Sequence, residues 1–367
     1  MKHIESQMLN TFSRFSPSWR PVEQAEKFME LLETRQRIFV NRLHLLPMTF
    51  SNKRLLDLGC GTGEHTAYYA TLGALVTGVD FNPVALERMR EVFSNYGLEE
   101  NIEELIETPV SAWKPKKSLY DICTADGVLH HLDNPREGFS KLCSALKPGG
   151  VLVIAVTTDV GSCQRDIMKR AILKFSDGIE DAVTLAHDLF PVYMNRAVHL
   201  GGRDAYQVVN DNFFSEQDVC LPVSTIIKWF REEKLKLYRS WPVLEPSFAD
   251  SASSPVIDWT DPKYEDYLVN RSKTWEYAME STETLVEAGK NECDILSIQK
   301  DWESEKKQLE EVLLEGKLEK LKALISKCKI FGKGFCGTGQ SYYVGIKNSS
   351  LFPQILPDAI EKLTDQK

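Results

Sequence analysis

The chain has 367 residues, 43% hydrophobic and 26% charged, with 21 glycines and 16 prolines, a composition that suits a folded globular protein and excludes disordered, collagenous and coiled-coil classes. Its formal charge of −9 leaves no broad basic footprint for nucleic acid. Eight cysteines stand without a C-x-x-C pair or a histidine at ligand spacing, which argues for reduced thiols, with neither a metal site nor a disulfide scaffold, and no apolar run is long enough to span a bilayer. A cytoplasmic protein without integral membrane contact is expected.

Residues 1–50 mix aromatic and charged positions. Between Val22 and Leu46 the apolar residues Phe28, Leu31, Leu32, Ile38, Phe39 and Leu43 recur at helical intervals, which predicts one or two preface helices. KRLLDLG at 53–59 then reads as a first strand, followed by a glycine turn at 59–63, a helix over 64–72 and a second strand, ALVTGVD, closed by Asp80. Asn82-Pro83 marks the start of the next helix. IEELIETPV at 102–110 and YDICTAD at 120–126 read as strands three and four, NPREGFSKLCSAL as a helix, the KPGG at 147–150 as a turn, and VLVIAVT as strand five. Strands alternating with helices at this spacing predict an α/β fold, a parallel sheet covered on both faces, with ligands at the carboxyl ends of its strands.

Past Thr158 the alternation stops. Residues 159–222 read as irregular helices, one of which places Ile167, Met168, Ala171, Ile172 and Phe175 on one face and basic residues elsewhere. That pattern suits a lid over a site, or a membrane or amphipathic surface. The sheet pattern resumes with a helix at 223–233 and a sixth strand to 242. Residues 243–335 contain a linker, a helix over 264–289 and a long charged helix over 291–328, in which Trp302, Leu309, Leu313, Leu321, Leu324 and Cys328 form a stripe. The stripe predicts packing on the chain's own domain, with homodimerisation as a second use. QSYYVGIK, within 340–348, alternates like a strand.

The glycines Gly59, Gly61 and Gly63, with Cys60 and Thr62 between them, follow a strand carrying Asp57, so backbone can approach a ligand without a Cβ in the way. The spacing G-x-G-x-G differs from the dinucleotide fingerprint. Asp80, at the end of the next strand, is placed to accept from both hydroxyls of a ribose. The motifs LLDLGCGTGEHT, VTGVDFNP, DICTADGVLHHL and LKPGGVLVI, in this order over residues 53–157, resemble those of class I S-adenosylmethionine-dependent methyltransferases. The resemblance implies a Rossmann-like, seven-stranded, mostly parallel sheet with helical insertions. The core with its cofactor site would occupy 51–158, and its last strands would lie at 223–242 and 340–348. It also implies S-adenosyl-L-methionine as cofactor, with its methionine portion on the glycine loop, Asp57 reaching the amino group, Asp80 the ribose, and Phe81 the adenine face. Asp126 and Gly127 would line the methyl-donor end. Where the family commonly has an Asp and a small residue for the adenine amino group, this chain has Thr108-Pro109-Val110, so Thr108 or a backbone carbonyl takes that role.

Methyl transfer from a sulfonium is an in-line displacement that needs no metal. A hydroxyl acceptor does need a base, for which His130, His199 (near Arg203 and Tyr206) and Asp126 are candidates, although His130 and His131 can equally satisfy backbone groups. Enclosing helices favour a small-molecule acceptor, methylated at oxygen. The alternatives are a tRNA or protein methyltransferase, against which stand the acidic balance and the missing D-P-P-Y or N-P-P-Y motif, and an inactive cofactor-binding module.

Overall fold

The computed structural model describes residues 22–159, 162–195, 197–198, 204–214, 219–244, 257–278, 292–328, 331 and 340–347. Strands β1 (Arg54–Leu58), β2 (Leu75–Asp80), β3 (Ile102–Glu107), β4 (Tyr120–Asp126), β5 (Leu146–Thr157), β6 (Leu235–Trp241) and β7 (Gln340–Lys347) form one sheet in the order β3-β2-β1-β4-β5-β7-β6. All neighbours are parallel except the pairs made by β7. This is the expected Rossmann-like, seven-stranded, mostly parallel sheet.

Both faces of the sheet are covered, and strict alternation along the strands decides which side chain serves which face. Leu56 and Leu58, Cys123 and Ala125, and Leu152, Ile154 and Val156 point into one core. That core is closed by two helices, α4 (Pro135–Ala145) and α9 (Val223–Glu232). Leu55, Ile122, Val153 and Ala155 point into the other, against α1 (Ala25–Gln36), α2 (Glu64–Thr71) and α3 (Pro83–Asn95). Asn82 caps α3 by accepting from the amides of Val84 and Ala85, and Pro83 occupies the first turn, where its missing N–H costs nothing.

A third core lies outside the sheet. Helices α5 (Cys163–Phe175), α6 (Ile179–Leu189), α7 (Pro191–Asn195) and α8 (Ala205–Val209) bury Ile167, Ala171, Leu185 and Val208 against Leu309, Leu313, Leu321 and Cys328 of the late insertion. From Leu309 to Cys328 the insertion's stripe is therefore covered by the helices that follow β5, while the side chain of Trp302 lies outside the described residues. A further helix, α10 (Glu265–Ala278), sets Leu268 into the sheet core beside α9.

Two local expectations change. The KPGG stretch does not precede strand five: it is an excursion inside β5, because Tyr120 pairs with Leu146 while Ile122, two residues on, pairs with Val151. The long charged helix is two helices, α11 (Glu292–Glu315) and α12 (Leu318–Ile325), broken at Gly316, whose φ of +70° a continuous helix cannot accommodate.

Candidate active site

The carboxyl ends of β1, β2 and β4 meet where the sheet order reverses direction, the crevice at which open α/β sheets take ligands. The glycine loop leaves β1 here, with the amides of Gly59 and Cys60 donating to the carbonyl of Val79 at 2.7 and 3.3 Å. Asp80 fixes the loop from β2: its carboxylate accepts from the Gly61 amide and from the Asn82 amide, each at 2.9 Å. Burial raises its pKa while these backbone donors oppose the shift.

The three loop glycines differ in what they face. A Cβ on Gly59 would strike Val128 and one on Gly63 would strike Met89, so those two are required for packing. A Cβ on Gly61, at φ +53°, would meet nothing within 4 Å. Only the middle glycine opens a space that a side chain would fill and a ligand can use.

Asp57 lies deeper. Its oxygens accept from Thr66 Oγ1 at 2.6 Å and Thr124 Oγ1 at 2.8 Å, so it ties β1 to α2 and β4. Burial pushes its carboxyl up to about 6, against the pull of the two hydroxyls. Cys60 is buried under the loop, with its thiol raised by desolvation. Phe81 is half-buried at the end of β2. Beyond β3 the Thr108 amide donates to the Asp80 carbonyl at 2.9 Å, and the Pro109 carbonyl closes a turn. Val110 is buried and its carbonyl accepts from Lys141 Nζ at 2.7 Å.

Asp126 ends β4 inside a cluster that the sequence motifs did not announce. Arg35, from α1, donates to its carboxylate at 2.5 Å and to the Tyr69 hydroxyl at 2.9 Å. The Tyr342 hydroxyl of β7 donates to Asp126 at 3.4 Å, and His65 Nδ1 lies 3.7 Å away. Burial works to raise the Asp126 pKa, but Arg35, His65 and Tyr342 together hold it below its ordinary value. Such a carboxylate is a weak proton acceptor. Gly127 follows, where a Cβ would meet the Gln340 carboxamide at 2.8 Å.

His130 is buried, and its Nδ1 accepts from the Thr157 amide at 3.3 Å, which puts its ring proton on Nε2. Burial drives its pKa well down, and proton abstraction by its Nδ1 would mean giving up the bond to β5. His199 and Arg203 lie outside the described residues, and Tyr206 is exposed on α8. Arg35 did leave a trace in the sequence: it falls at the i+7 position from Phe28, on the apolar face of α1, where an arginine needs a buried partner.

Residues 31–217 match a family described as "Methyltransferase domain". The chain belongs to this family. With membership come the Rossmann-like fold and S-adenosyl-L-methionine as cofactor. Within the wider family, the chain is 28% identical over 144 residues to the mitochondrial ubiquinone biosynthesis O-methyltransferase of Schizosaccharomyces pombe, over 39% of this chain and 52% of that protein. It is 28% identical over 158 residues to the ubiquinone biosynthesis O-methyltransferase of Histophilus somni, over 41% and 63%. The matches thus span about half to two thirds of these relatives. A solved S-adenosylmethionine-dependent methyltransferase from Mesorhizobium loti aligns with a TM-score of 0.39 and 17% identity, over 59% of this chain and 88% of that one. Among the described residues no helix is long and apolar enough to cross a membrane.

Proposed function

We propose that this family member transfers the methyl group of S-adenosyl-L-methionine to an oxygen of a small-molecule acceptor. The observation that carries the reading is Gly61, the one loop glycine facing open space, held by Asp80 at the carboxyl edge of the sheet. The O-methyltransferase names of the relatives support oxygen as the acceptor atom.

Bound S-adenosyl-L-methionine supplies an electrophilic methyl group. The chain's residues do the rest. Gly59, Gly61 and Gly63 shape the bed for the methionine portion, Asp57 offers its remaining lone pairs to the amino group, Asp80 takes the ribose, and Phe81 and Thr108 border the base. Aligning the acceptor with the methyl supplies about 7–11 kcal/mol of barrier reduction. Arg35 keeps Asp126 ionised. The imidazole of His65 stands 3.7 Å from that carboxylate and is 40% exposed, so it is a more accessible candidate than the buried His130 for taking a hydroxyl proton.

Calorimetry with S-adenosylhomocysteine, joined to transfer of labelled methyl onto a panel of phenols, carboxylates and amines, tests the reading. Binding with methylation of phenols is expected. Methylation of amines alone would move the acceptor atom to nitrogen, and failure of S-adenosylhomocysteine to bind would overturn the cofactor placement. A cytoplasmic location belongs to the same proposal and is checked by cell fractionation.

A further inference from the structure

The helices after β5 and the late insertion enclose a cavity of about 360 Å³, a size typical of small-molecule sites. Its walls include Met168 of α5, Leu189 and Phe190 at the α6–α7 corner, Ile325 and Cys328 at the end of α12, and Phe331. Most of these belong to the buried third core, and the rings of Phe190 and Phe331 stand 5.1 Å apart. The cavity is thus bounded by packed helices, with an apolar and aromatic lining.

Its polar lining comes from Gln164, Asp188, Tyr193, Lys322 and Ser326. Asp188 pairs with Lys322 at 2.6 Å, and Glu319 lies 3.8 Å from the same ammonium. The lysine cation on this wall is therefore already matched by carboxylates. Gln164, 4% exposed, lines one end. That end of the cavity is anchored to the sheet: the neighbouring Arg165 donates to Thr157 Oγ1 at 3.1 Å, and Ser162 Oγ contacts Cys220 Sγ at 2.9 Å. Thr157 is the last residue of β5, on the same carboxyl edge as the donor site.

We propose that this cavity seats the body of a neutral acceptor, a ring or short hydrocarbon carrying a hydroxyl, and rejects charged congeners. The word acceptor rests on the methyl-transfer reading above; the neutrality and the apolar body rest on the cavity. An anion here would find the Lys322 cation already taken by Asp188 and Glu319 and would face their carboxylates, while its ring lies against the apolar walls.

The test uses the full chain labelled with carbon-13 at its methionine methyls, with Met168 as reporter and Met89, under the glycine loop, as control. The probes are 1-naphthol and 1-naphthoate, which share a ring body and differ in charge, each added with and without S-adenosylhomocysteine. Saturable shifts at Met168 with 1-naphthol are expected, with 1-naphthoate about tenfold weaker or worse. Asp188→Asn, a change at the exposed rim, removes the nearer of the two carboxylates that hold the Lys322 cation, Glu319 being the other, and is expected to narrow that gap. An unmoved Met168 in a protein that still binds S-adenosylhomocysteine overturns the cavity site and leaves the cofactor reading standing. Binding of 1-naphthol without any S-adenosylhomocysteine binding upholds the cavity as a site and removes the methyl-transfer reading. Equal affinity for the two probes in the unmodified protein overturns the selectivity.

Discussion

Gly61 and Gly63 sit two residues apart and do opposite work. Gly61→Val meets open space, so its cost to the fold is confined to the positive φ, about 1–2 kcal/mol, while its side chain fills the cradle. The thermal shift given by S-adenosylhomocysteine is expected to vanish in this variant, whereas Gly63→Ala, which collides with Met89, should lower the melting temperature itself. Asp80→Ala removes the proposed ribose acceptor and leaves the Gly61 amide without its carboxylate; calorimetry with S-adenosylhomocysteine should show roughly a ten- to hundredfold loss of affinity. Arg35→Ala strands the Asp126 carboxylate in the interior, and urea denaturation should report a loss of about 3–5 kcal/mol, partly recovered by adding Asp126→Asn. The two buried carboxylates also respond to pH in opposite senses. Asp57 holds its proton up to about 6 against an ordinary 3.8, so its contribution to stability is complete below 3.8 and is lost as the pH rises through 6. Asp126, held low, contributes above the ordinary carboxylate range and loses that contribution as the pH falls through its folded value. Melting curves of Asp57→Asn between pH 4 and 7 should therefore be flatter toward neutral pH than those of the unmodified chain.

At the scale of elements, the insertion and the post-β5 helices depend on each other. Leu309→Ala or Leu321→Ala removes a fully buried side chain from their shared core, a change that typically costs about 2–5 kcal/mol. Hydrogen exchange is expected to accelerate across α5, α6 and α12, while β1 and β4 keep their protection; uniform acceleration through the sheet would contradict a separate helical core. The bounds of β4 and β7 were legible residue for residue, because each is a short, largely buried run flanked by segments of different composition. The break between α11 and α12 was not, since Glu315 and Lys317 continue the charge pattern across Gly316 and only the backbone conformation separates them. The KPGG excursion was misplaced for a related reason: a turn-forming sequence says that the chain bends, and which strand resumes its register is decided by β4 alongside it.

For the whole molecule, the sheet and the contact between the glycine loop and Asp80 were readable because their determinants are local: apolar runs, Gly61, and Asp80 nineteen residues further on. The Arg35–Asp126–Tyr342 cluster draws on segments 91 and 216 residues apart, and the cavity beside Met168 joins α5 to α12. The position of Arg35 on the apolar face of α1 hints at a buried partner, but no short-range signature says which one, and the cavity has none at all. One consequence of the strand order concerns synthesis. β7 lies between β5 and β6 yet is the last of the seven to be made. With about a hundred residues separating β6 from β7, a ribosome adding about 5–20 residues per second leaves β6 waiting roughly 5–20 s for its only neighbour. During that interval β5 carries an unpaired edge, and β6 has no sheet to join. The nascent chain is then most open to pairing with the wrong strand, and a transcript truncated within the insertion would make that exposure permanent.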